Sequence, residues 1–176
     1  MRSATNFIFF KVVWALSLVG VSIGSPWLGA AGLCLFIIWH SRTSTHAPAD
    51  FLLAAFAVVL GTLIDTVNIH TNVLVYEEAW PSEKLAPFWI MVLWANFALL
   101  MNGGLRWLQG KYLLAAAIGA FVGPLGYILG VRLGTASYAS TKFEFALVTG
   151  TAWAIALPLL LFLAGYLRKN LQRSLA

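Results

Sequence analysis

Six apolar runs separated by short polar stretches leave this chain few ways to fold. A hydrocarbon core about 30 Å thick takes roughly 20 residues of helix to cross. The runs fall at about 7–23, 27–41, 49–67, 88–105, 112–133 and 143–166. Composition points the same way. Residues are 61% hydrophobic and 10% charged, with mean hydropathy +0.86, against roughly 45–50% and 25% in soluble domains. That apolar surface exceeds what one small core can hide from water, so lipid must be the solvent. The expectation is all-α: a polytopic transmembrane helical bundle of six spans, forming a single integral membrane domain over 1–176, with no room for a separate soluble domain.

Two of the runs carry an alternative. The first has Lys11 closing a short basic region, and Val21-Ser22-Ile23-Gly24-Ser25 supplies small residues, which is also the pattern of a cleaved signal; five spans would then remain. Because the segments that follow are themselves apolar spans, an uncleaved first span is the simpler reading. The second run is short. Trp27 to Trp39 makes about 18 Å of helix, so it must thin the bilayer, extend through His40 and Ser41, or re-enter without crossing.

Charge sets the topology. The net charge is +5, but the basic residues are dispersed at run ends rather than clustered, which fits topology signals and excludes nucleic acid as a partner. With six spans both termini share one side. That side holds Arg2, Lys11, Arg42, Arg106, Lys111, Arg168, Lys169 and Arg173; the other holds Lys84, Arg132 and Lys142 with Glu77, Glu78, Glu83 and Glu144. The positive-inside rule makes the first side cytoplasmic, so the expected location is the plasma membrane, multi-pass, with both termini in the cytoplasm.

Asp65 is the anomaly. It lies in the third run, in Leu60-Gly61-Thr62-Leu63-Ile64-Asp65-Thr66-Val67-Asn68. A carboxylate near the hydrocarbon core costs about 2.5–3.5 kcal/mol on insertion scales, so it is paired, neutralised or facing water, and marks a site by default. Counted from Asp50 it stands about 22 Å up the helix. Asn68 lies on its face one turn on. Asn96 in the fourth run, and Tyr127 and Arg132 in the fifth, come to similar or slightly more outward depths. The expected site is therefore a polar pocket of Asp65, Asn68, Asn96, Tyr127 and Arg132 opening outward, below an acidic loop over 71–86. The bland alternative makes Asp65 an interhelical hydrogen-bond acceptor, Arg132 a snorkelling cation and Tyr127 an interfacial aromatic.

Gly119, Gly123, Gly126 and Gly130 follow at steps of four, three and four, so they line one stripe on the fifth helix and are expected to seat a neighbouring helix. Pro124 stands beside them. Cys34 is alone, which excludes an intramolecular disulfide and a thiolate cluster, and it reads as a small buried hydrophobe. His40 and His46 lack a spaced third ligand, so they read as solvated interfacial residues and no metal or other cofactor is expected. Phosphate-cradling glycine loops, nucleophile elbows and an inverted repeat are absent from the sequence.

Leu60-Gly61-Thr62-Leu63-Ile64-Asp65, Leu93-Trp94-Ala95-Asn96-Phe97-Ala98 with Asn102 and Trp107, and Gly123-Pro124-Leu125-Gly126-Tyr127 with Gly130 and Arg132-Leu133-Gly134 together resemble an uncharacterised family of bacterial inner-membrane proteins, a domain of unknown function. The resemblance covers nearly the whole chain. Members are often encoded beside methyltransferases similar to cyclopropane-fatty-acid synthases, so the resemblance implies a role near acyl-lipid chemistry. Membrane lipids, and a membrane-protein or lipid-modifying enzyme partner, follow as expected partners. Three classes of function stay open: an accessory or binding protein, an intramembrane lipid-modifying enzyme using Asp65 as acid or base, and a small proton-coupled carrier.

Overall fold

Apolar stretches of this length form helices because each backbone donor must find its acceptor within the same segment where water is excluded. The computed structural model describes residues 2–174, with side chains from 4 to 171. Six α-helices result: α1 (Arg2–Ser22), α2 (Leu28–Thr43), α3 (Ala47–His70), α4 (Phe88–Ala98), α5 (Tyr112–Arg132) and α6 (Lys142–Ser174). Four of them, α1, α3, α5 and α6, are long and apolar enough to cross a membrane. The short second run forms α2, which continues past His40 and Ser41 to Thr43, 16 residues in all.

The fourth run departs from expectation. Helix was expected over 88–105, but α4 stops at Ala98 after 11 residues. The chain then descends through turns and a short 3-10 helix at Arg106–Leu108. Asn102, Gly103 and Gly104 are poor helix formers, and the Asn102 side chain is drawn to Asp50 at 2.8 Å. The tertiary bond and weak propensity together end the helix about two turns early.

Two strands were not anticipated. β1 (Leu74–Tyr76) and β2 (Ala136–Tyr138) pair antiparallel, with Leu74 opposite Tyr138, Val75 opposite Ser137 and Tyr76 opposite Ala136. They join the loop after α3 to the loop after α5, and Gly134 (φ 72°) supplies the left-handed turn leading into β2. The same end carries the α1–α2 turn, where Trp27 packs on Trp80 and Phe88. The opposite end gathers the α2–α3 connection and residues 99–111.

The closest helix pairs are α5 with α6, α3 with α4, and α1 with α2; α6 also packs on α3, and α4 on α1. No extended packing joins α1 to α5. Missing Cβ atoms permit several of these approaches. A Cβ on Gly61 of α3 would run into the Trp94 indole of α4, and one on Gly119 or Gly123 of α5 would run into Trp153 of α6. The glycine stripe of α5 therefore divides: Gly119 and Gly123 seat α6, Gly130 meets the Thr135 hydroxyl just beyond its own helix, and Gly126 faces open space. Large apolar side chains cover the outside, among them Leu113 (90% exposed), Phe121 (77%) and Phe143 (76%). On a protein in water such a girdle would be a liability; in a bilayer it is the solvated face. Cys34 joins that exposed face rather than the core.

Because Gly61 and Gly126 differ only in what surrounds them, they give a matched pair. Gly61→Ala should lower stability in detergent by about 1–3 kcal/mol through overpacking, whereas Gly126→Ala should be neutral or stabilising by up to about 1 kcal/mol. Thermal or denaturant unfolding of the two variants checks this.

Candidate functional site

A carboxylate without water must be wrapped by donors, and Asp65 is fully buried and fully wrapped. The Tyr76 hydroxyl donates to Oδ1 at 2.6 Å and the Tyr127 hydroxyl to the same oxygen at 2.8 Å. Trp94 Nε1 donates to Oδ2 at 2.7 Å, and Asn68 Nδ2 approaches Oδ1 at 3.4 Å. All four partners are donors, the complement of an acceptor-only group. They come from β1, α5, α4 and α3 itself, so one side chain ties four elements together. Burial pushes the Tyr76 hydroxyl well above the usual phenol range, which keeps its proton in place for donation.

Local sequence explains how the partners arrive. Gly61 lies one turn before Asp65 on the same face of α3, and the space it leaves admits the Trp94 indole against the helix with its N–H reaching the carboxylate. Trp94 stacks on Trp153 at 4.7 Å with rings 14° apart. Trp153, seated on Gly119 and Gly123, turns its own Nε1 to the Tyr127 hydroxyl at 3.4 Å. The stacked indoles thus form a wall whose polar edges point at the Asp65–Tyr127 pair.

Beside that wall lies a cavity of about 490 Å³, mid-range for small-molecule sites. Phe7, Lys11, Trp14 and Leu18 of α1 form one side, Val122, Leu125, Gly126 and Leu129 of α5 the other, and Trp94, Phe97 and Trp153 the floor. Asp65, Tyr76 and Tyr127 line one end. Because α1 and α5 do not close on each other, the cavity is a lateral cleft rather than a sealed void.

The expected pocket residues separate into two groups. Asp65, Asn68 and Tyr127 come together. Asn96 does not join them: it is buried, its Nδ2 donates to the Phe10 carbonyl at 3.0 Å, and its Oδ1 has no partner among the described residues. The residue faces α1 rather than α3, a matter of helix rotation that matching depth does not determine. Arg132 is also apart, exposed in the last turn of α5 and outside the cavity lining. Sequence reasoning missed Tyr76, Trp94 and Trp153. Gly61, four residues before Asp65, was the available signal for Trp94; Tyr76 arrives through the unforeseen strand.

A second polar cluster sits at the opposite end. His40 and Asp50 are 3% and 2% exposed, so His40 is not the solvated residue expected. Asp50 binds His40 Nε2, the Ser44 hydroxyl and Asn102 Nδ2, each at 2.8 Å, and Gln109 continues the chain to Asn102 at 2.9 Å. Among the described residues no group of three His, Cys, Asp or Glu side chains is placed to hold a metal ion.

Fold and site define the class: a small all-helical membrane protein, four of its helices long enough to span, with a buried carboxylate hub at the end of an apolar cleft. The chain belongs to the family described as protein of unknown function (DUF2878), whose model matches residues 3–159. Nothing matches among curated proteins or among solved structures.

Hydrogen bonds to a charged acceptor contribute about 1.5–3 kcal/mol each. Tyr76→Phe and Tyr127→Phe should each lower unfolding stability by that order. Asp65→Asn should cost more than either, because its amide N–H₂ turns a donor toward donors. Denaturant titration in detergent, with a Tyr76→Phe/Tyr127→Phe cycle, checks both the ranking and the coupling through Oδ1.

Proposed function

We propose that this chain is an inner-membrane binding or accessory protein whose cleft between α1 and α5 holds the acyl chain of a membrane lipid. The observation that carries the reading is the cleft itself, about 490 Å³ and lined almost entirely by apolar and aromatic side chains. Its length fits the ligand. Phe7 to Leu18 spans about 16 Å of α1, and Ile118 to Gly130 about 18 Å of α5, close to the roughly 15 Å depth of one leaflet. Its walls remain open to the side, with Phe7 47%, Val122 57% and Leu125 52% exposed. A lipid chain therefore enters sideways from the bilayer without passing through water.

Both termini stand in the cytoplasm in this reading, by the positive-inside argument, and the Asp65 end faces outward. The acyl-lipid association implied by the family resemblance agrees with the ligand class, and a lipid-modifying enzyme is the natural partner for a protein that holds a chain without altering it. Chemistry at Asp65 is the weaker reading. Its two oxygens already receive four protein donors, three on Oδ1 and one on Oδ2, which hold the carboxylate as a structural acceptor, and Arg132 and Asn96 stand elsewhere.

Photolabelling tests the proposal. A diazirine-bearing phospholipid or fatty acyl probe in native membranes should label Phe7, Trp14, Val122, Leu125 and Leu129 several-fold more than Leu52, Phe56, Val59 and Leu63 on the outer face of α3. Gly126→Leu should erase the difference by filling the cleft. Uniform labelling of all lipid-facing helices would contradict a bound chain.

A further inference from the structure

We infer that the occupant of the cleft is an acyl lipid with an anionic head, a fatty acid in its simplest form, whose head pairs with Lys11. The inference rests on the lipid-binding reading above and adds the charge of the ligand's head.

Among the described residues Lys11 is the one cation lining the cleft. Its ammonium stands 5.4 Å from the Phe7 ring, 5.7 Å from Phe10 and 5.4 Å from Trp14. Among the described residues the only ion pair joins His40 to Asp50, and Lys11 has no carboxylate. Lys11 is exposed and the aromatic rings beside it attract a cation without neutralising it, so its ammonium is open to an anion arriving at the cleft. Helical side chains lean toward the helix N-terminus, so the ammonium lies among Phe7, Phe10 and Trp14 and away from Leu18 and the Asp65 end of the cleft.

The far end reinforces the direction. Asp65 is there, and its donors satisfy its oxygens without supplying any positive charge. With Lys11 at one end and the oxygens of Asp65 already taken by protein donors at the other, an amphiphile lies with its anionic head on Lys11 and its tail along the Trp94–Trp153 wall toward Tyr127. A cationic head gains nothing at Lys11.

Intrinsic tryptophan fluorescence gives the test, since Trp14, Trp94 and Trp153 all line the cleft. The full chain in detergent is titrated with a brominated stearic acid and separately with its methyl ester, which has the same tail without the charge, at a pH where the free acid is ionised. The acid should quench with at least ten-fold higher affinity than the ester. Lys11→Gln should bring the acid down to the level of the ester while leaving ester quenching unchanged, which shows that the cleft is still intact. Lys11→Arg should retain most of the preference, and Gly126→Leu should weaken both ligands. Equal affinity of acid and ester for the wild-type chain, or a preference that survives Lys11→Gln, would overturn the inference while leaving a chain-binding cleft in place. Failure of both ligands to show quenching sensitive to Gly126→Leu would instead overturn the lipid-binding reading on which it rests.

Discussion

Everything at the centre of this molecule is arranged around the need to satisfy one carboxylate away from water. Removing such a group from solvent costs several kcal/mol unless donors replace the lost hydration. Asp65 obtains them from Tyr76, Trp94, Tyr127 and Asn68, three of which lie on other elements. The β1–β2 pair brings Tyr76 into range, α4 must lie close enough on α3 for an indole to reach, and α5 must present Tyr127. A buried polar network of this kind is favourable only when each member is paired, so the carboxylate specifies one arrangement of the bundle rather than simply adding stability to any of several.

Aromatic and glycine residues convert that specification into shape. Trp94 fits against Gly61, and Trp153 against Gly119 and Gly123; the two indoles then stack. Their polar edges serve the hub and their faces make a flat apolar floor. Because α5 is committed to α6, and α1 to α2 and α4, α1 and α5 are left apart with the cleft between them. Gly126, facing open space where its neighbours seat α6, keeps that gap clear. The hub and the cleft are in this sense one construction: the bonds that satisfy Asp65 pull helices together on one side of the Trp pair and leave the other side open to lipid.

Much of this was legible in the chain, and the unread part has identifiable causes. Apolar run length located six helices, and the acid within a run singled out Asp65. Depth matching brought Tyr127 to the right level but also admitted Asn96 and Arg132, because depth along a helix says nothing about rotation about its axis. Asn96 points at Phe10 and Arg132 points out. Tyr76 was hidden by a three-residue strand whose partner lies about sixty positions away in the sequence, beyond any local pattern. His40 looked like an interfacial residue because its neighbours are polar; only the fold brings Asp50 and Asn102 together around it. The shortening of α4 had a visible cue in Asn102-Gly103-Gly104, outweighed by the hydropathy on either side.

The central claim is that a lateral cleft between α1 and α5 is a permanent feature of the folded protein and is filled by a lipid chain. The measurement that bears on it most directly is an experimental structure of the full chain determined in a lipidic phase. The account predicts α1 and α5 held apart by the stacked Trp94–Trp153 pair, with elongated density between Trp14 and Val122 running from the Lys11 ammonium toward Tyr127. A structure with α1 packed along Gly126 and Gly130, and no space remaining beside Trp153, would contradict it.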